Sequence, residues 1–128
     1  MNRAEEALDV ARSLLGSGHS HDAVNRLYYA CFYAVSALLL LEDMQSRRHK
    51  GVRNLLDLHW IRSGRLPRQM GSFYRELMDA RGAADYEDMV EFSRGDIESW
   101  LVEARGFVDE VKKRVEELIA GQPPAPAS

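Results

Sequence analysis

The sequence predicts an all-α protein: an up-and-down four-helix bundle with one additional short helix. Apolar residues recur at spacings of three and four over most of the chain. No segment alternates polar and apolar residues for long enough to make a strand. The Gly-, Ser- and Pro-containing breaks between periodic segments are short, which favours antiparallel neighbours. The chain has 128 residues, 45% hydrophobic and 29% charged, and no internal repeat. A domain of this size buries about two thirds of its unfolded surface and needs no staples.

The elements follow in order. Ala4, Leu8, Ala11 and Leu15 mark one face of a helix over residues 2–15, with Glu5, Glu6, Asp9 and Arg12 largely elsewhere. Gly16-Ser17-Gly18 stops it. A second helix starts near Ser20-His21-Asp22, where Ser20 or Asp22 can accept the free N–H groups of the first turn, and runs to about Asp43. Its stripe of Ala23, Leu27, Ala30, Ala34, Ala37 and Leu41 lies beside a second of Val24, Cys31, Val35 and Leu38, so this helix should be central. Asn25, Arg26, Tyr28, Tyr29, Tyr33 and Ser36 stand out in it as polar.

After the polar run Gln45–Lys50, Val52, Leu55, Leu56 and His59 mark a shorter third helix ending at Ser63-Gly64. Pro67 suits the first turn of a fourth, which carries Met70, Phe73, Leu77 and Met78 to about Arg81. Gly82 to Tyr86 then reads as a loop, or as a helix end with a short turn. Ser93, with Asp96 three residues later, is a start signal. Ile97, Leu101, Ala104, Val108, Val111, Val115 and Leu118 follow at alternating spacings of four and three, a heptad seam. The folded domain spans 1–120, and the Pro/Ala-rich tail 121–128 is expected to be disordered.

Composition narrows the function. With 17 basic and 20 acidic residues the net charge is -3, so any contact with nucleic acid must be local. Cys31, the only cysteine, excludes a disulfide framework and should be an inert core thiol. His19 and His21, with one residue between them, are not a helical zinc pair, and no metal is expected. There is no strand–glycine loop–lysine motif and no Gly-x-Ser-x-Gly elbow, so no cofactor is expected either. The chain opens on an amphipathic segment rather than an apolar leader, and the run from Ala34 to Leu41 is too short to span a bilayer. No membrane is expected, and a reducing cytoplasm suits the lone thiol.

Four blocks are more specific: Ala23-Val24-Asn25-Arg26-Leu27-Tyr28-Tyr29-Ala30, His49-Lys50-Gly51-Val52, Gly64-Arg65-Leu66-Pro67, and Arg81-Gly82-Ala83-Ala84-Asp85-Tyr86. In this order they closely resemble the HEPN family, in its branch of small stand-alone prokaryotic proteins with A-x-N-R-x-Y-Y-A and R-x-x-x-D-Y motifs. The resemblance covers about residues 3–119. It implies a homodimer, often with a polar cleft at the interface, that binds RNA or nucleotide. It also implies, for many members, a metal-independent ribonuclease or toxin paired with a small nucleotidyltransferase antitoxin. Other members bind RNA, nucleotides or proteins without catalysis, and a non-catalytic partner of a nucleotidyltransferase is the alternative. Trp60, Tyr74, Phe92 and Trp100 exceed what a small core needs, so some are expected at an interface.

Nuclease members of the family separate an arginine and a histidine by four to six residues. Arg81 matches the arginine, but the histidine positions hold Tyr86, Glu87 and Asp88. Tyrosine, with a pKa of about 10, does not titrate near neutral pH as histidine does. Three readings stay open. Arg81, Asp85 and Tyr86 form a structural cluster; or Arg26, Arg81, Asp85 and Tyr86 bind a ligand, with the two arginines on phosphate; or proton-transfer chemistry is carried by Arg81, Tyr86 and His49. His49 enters if its loop lies over the Arg81 end of helix four, and is otherwise a capping or surface residue. Asp85 is the expected partner of Arg26, and Tyr86 is a candidate for modification by the transferase. Arg47 to Lys50 form a compact basic patch.

Overall fold

The computed structural model describes residues 1–86 and 92–121, and the side chains of all of these except 84–86. Among the described residues the chain forms five α-helices and no strand: α1 (Asn2–Gly16), α2 (Ser20–Leu40), α3 (His49–Leu56), α4 (Arg68–Tyr86) and α5 (Arg94–Gly121). A π-helical turn, Asp57–Ile61, extends α3. Four long helices form an all-α bundle, and α3 with its π turn is the additional short element. Gly121, the first residue of the expected tail 121–128, still belongs to α5, and 122–128 lie outside the described residues.

Helix α2 packs against α1, α3, α4 and α5, and is the centre of the bundle. Ala23, Val24, Leu27, Tyr28, Ala30, Cys31, Ala34, Val35, Leu38 and Leu39 are all fully buried. Each large side chain among them contributes about 1.5–3 kcal/mol by leaving water. By length and composition alone this helix would be long enough to cross a membrane, yet more than half of its apolar window, 56%, is buried inside the bundle. The core is completed by Ala4, Leu8, Ala11 and Leu15 of α1, by Phe73, Tyr74 and Leu77 of α4, and by Ile97, Ala104, Phe107, Val108 and Val111 of α5. Leu101, Val115 and Leu118 of the heptad seam pack partly buried against it. Cys31 is buried among these side chains, and burial pushes its thiol far up, so it stays protonated and inert.

Several boundaries differ from expectation. Helix α2 is capped by His19 without a side-chain hydrogen bond, not by Ser20 or Asp22, because Ser20 is already helical. It ends at Leu40, not Asp43, because Asp43 takes a left-handed φ of 60°. The short polar side chain of aspartate tolerates that region, and the Met44 N–H returns to the Leu39 carbonyl at 3.0 Å. Helix α4 continues through Gly82 to Tyr86, where a loop or turn was one expectation. One glycine lowers helix stability by only about 1 kcal/mol, and the alanines that follow are the best helix formers. Pro67 lies just before α4 rather than inside its first turn, and its carbonyl accepts the Met70 N–H at 3.0 Å. Trp60 and Tyr74 belong to the core, whereas Phe92 and Trp100 are half-buried and pack on each other at 5.6 Å.

The caps that do form tie elements together. The Ser93 hydroxyl accepts the Asp96 N–H at 3.0 Å and starts α5. Gly18, at φ +83°, reverses the chain after α1, and the His19 N–H closes on the Leu14 carbonyl at 2.8 Å. Arg94 of α5 donates to the Leu15 carbonyl at 3.4 Å, a cation at the negative end of α1. Arg65 stacks on Trp60, 3.5 Å from the ring centre, and forks onto Glu42 at 3.0 and 2.7 Å. That clasp joins the turn after α2 to the segment before α4.

Candidate functional site

The loop after α2 and the start of α3 place one histidine against the tyrosines of α2. Ser46 accepts the Arg48 N–H at 3.2 Å and rests directly over Gly51, where a side chain would collide with it. This explains the glycine of the His49-Lys50-Gly51-Val52 block: it lets the loop close over the first turn of α3 and so fixes His49. The imidazole Nδ1 lies 2.7 Å from the Tyr28 hydroxyl, which in turn lies 3.5 Å from the hydroxyl of Tyr74 on α4. The ring also packs on Phe32 at 4.8 Å, and on Tyr28 and Tyr29 at 5.5 and 5.8 Å.

Arg81 of α4 comes to the same place from the other side. Its Nη2 donates to the Tyr29 hydroxyl at 3.4 Å, and its guanidinium lies 5.6 and 5.5 Å from the ring centres of Tyr28 and Tyr29. Arg26 covers the same Tyr29 ring at 4.9 Å and donates through Nε and Nη2 to Asn25 Oδ1 at 3.2 and 2.9 Å. Arg3 of α1 lies 4.3 Å from the Tyr33 ring, next to Tyr29. Local positive charge thus collects around a tyrosine row on a chain of net charge -3.

The structure brings Arg26, Arg81 and His49 together. Asp85 and Tyr86 are the last helical positions of α4, and their side chains lie outside the described residues, as do Glu87 and Asp88. The expected Arg26–Asp85 pairing is therefore not described; the acceptor seen for Arg26 is Asn25. Tyr28, Phe32 and Arg3 were not singled out as site residues by sequence. Tyr28 was legible as a tyrosine of the Ala23–Ala30 block and as a polar atom in an apolar helix, which demands a partner. Among the described residues no three His, Cys, Asp or Glu side chains gather as a metal cluster.

The electrostatics set the protonation states. Burial raises the Tyr28 and Tyr74 hydroxyls above their ordinary range, so both stay neutral. Burial, and then the charge of Arg81, hold His49 below its ordinary value of 6.5. The folded chain therefore takes up this proton less readily than the unfolded chain. Stability is complete above the unfolded value and falls as pH drops through and below it. Urea midpoints measured at about pH 7.5 and 5.5 should show this loss, and His49→Gln should make the fall smaller. An unchanged pH dependence in that variant would contradict the assignment.

These features define a helical bundle carrying an arginine–tyrosine–histidine cluster where α2, α3 and α4 meet. The family model described as HEPN domain matches residues 1–115, and the chain belongs to the HEPN family. A "UPF0332 protein" of Thermotoga maritima is 39% identical over 116 residues, covering 91% of this chain and 88% of the relative. From Methanocaldococcus jannaschii, "Putative toxin MJ0605" is 33% identical over 91% of this chain and 86% of its own length. "Putative toxin MJ0142" of the same organism is 29% identical over 88% of this chain and 77% of its own.

Proposed function

We propose that this HEPN protein binds RNA or nucleotide phosphate at the Arg26–Tyr29–Arg81 cluster, as a cytoplasmic homodimer and as the toxin of a two-gene module whose antitoxin is a nucleotidyltransferase. The observation that carries the binding reading is the pair of guanidiniums resting on one tyrosine ring. A guanidinium grips phosphate with two parallel N–H donors, and an aromatic face beside it takes an unstacked base. The names of the two Methanocaldococcus relatives support the toxin role.

The test is fluorescence anisotropy of labelled bulk tRNA with the purified full-length chain over a range of salt. Two phosphate contacts give a log–log salt slope of about -1.4. Sedimentation of the same sample should show twice the monomer mass. Absence of binding at low salt overturns the reading. Binding to a co-expressed nucleotidyltransferase without RNA affinity would favour the non-catalytic partner instead, with Tyr86 as the acceptor to examine by mass spectrometry.

A further inference from the structure

We infer that the groove between the end of α2 and the start of α3 is a docking surface for an acidic protein segment that carries an aliphatic anchor. The inference stands apart from the RNA-binding reading, because the groove includes none of Arg26, Tyr29 and Arg81. Its volume is about 230 Å³, and Phe32, Leu39, Leu40 and Val52 supply most of its lining, with Ser36 and Gln45 among the polar residues. Small-molecule pockets run to roughly 300–1,000 Å³, so this groove is small for a nucleotide and suits one or two aliphatic side chains. Leu40 stands at its edge 59% exposed, an apolar surface open to a partner.

The charge beside the groove names the kind of partner. Residues 44–56 contain Arg47, Arg48, Lys50 and Arg53 and no acidic residue. Arg47, Arg48 and Lys50 are exposed, and among the described residues they make no ion pair. Of the two carboxylates just before them, Glu42 is held by Arg65, which leaves Asp43 to offset three cations.

The start of α3 adds a second mismatch. No side chain caps it, and its first turn holds no acidic residue. A helix N-terminus presents free N–H groups and partial positive charge, which anionic side chains ordinarily offset. Here Arg47, Arg48 and Lys50 add to that charge instead. A carboxylate-rich segment meets both needs: its acids reach the guanidiniums and the α3 N–H groups, and its aliphatic side chain fills the groove beside Leu40. Nucleic acid supplies the charge but not the anchor. A base needs an open aromatic face, and Phe32, the aromatic residue of the groove, is already packed on His49, Tyr28, Tyr29 and Tyr33.

The experiment follows the fluorescence anisotropy of a labelled peptide of about 16 residues, with leucines three and four positions apart and glutamates at most others, as full-length protein is added at low salt. One control peptide has lysine for every glutamate, and another has serine for every leucine. The acidic leucine peptide should bind, and each control about 10-fold or more weakly. Leu40→Ser should weaken the acidic peptide about 5-fold or more, the usual loss at an anchoring contact. Arg47→Glu combined with Arg48→Glu should weaken it about 10-fold or more and flatten its salt dependence. These three side chains are exposed, so urea midpoints should not fall below wild type. Affinity of Leu40→Ser for labelled tRNA should equal that of wild type. No binding of the acidic peptide, equal binding of its serine control, or a loss of tRNA affinity in Leu40→Ser would overturn the inference, and the last would assign the groove to nucleic acid. Wild type that binds the peptide as described and not tRNA supports the inference and overturns the RNA reading alone.

Discussion

Replacing Leu27 with alanine is expected to lower the unfolding free energy by about 3 kcal/mol, within the range of fully buried Leu→Ala changes. Leu27 is completely enclosed in the central helix. Its neighbours along the stripe, Ala23, Ala30 and Ala34, are small and equally buried. They cannot swing into the vacated volume, because alanine has no rotamer to change, and helices on several sides of α2 hold its backbone in place. For a domain of this size the loss corresponds to roughly a 10 °C fall in Tm. Urea titration and calorimetry measure both quantities, and a loss below about 1 kcal/mol would show that the site collapses and the packing around α2 is loose.

Arg81→Ala is expected to weaken RNA binding about 10- to 100-fold, the worth of one charge-assisted contact. It should also make the salt slope shallower, by about 0.7 for one lost contact to a single strand. Arg81→Lys restores the charge and not the fork, so it should recover only part of the affinity. The lesion is local because Arg81 is half-buried and rests on the edge of the tyrosine row instead of in the core. Anisotropy with labelled tRNA reads the change, and wild-type affinity in Arg81→Ala would remove this arginine from any ligand site.

The helices with steady apolar periods, α1 and α5, were legible almost to the residue, since burial alone selects their faces. The end of α2 was not, because the residue that turns the chain, Asp43, is neither glycine nor proline. The end of α4 was missed for the opposite reason: Gly82 signals a break that the neighbouring alanines outvote. Trp60 and Tyr74 looked surplus in a residue count, yet both are buried, since the short α3 unit adds a layer to fill. The chemistry of the site could be read from residue types: Arg26, Arg81 and His49 were all candidates. Their meeting depends on packing. Tyr28 and His49 are 21 positions apart and touch only after the loop folds over Gly51.

The π turn at Asp57–Ile61 has a consequence for how this fold can vary. A widened turn of this kind holds one more residue than the helix winding needs. Removing a single residue there would restore regular winding and leave the residues on either side of the turn facing as they do now. This short stretch is therefore a seam where insertions and deletions in descendants of the sequence can register without breaking the long helices, and variation in chain length between relatives should concentrate in it.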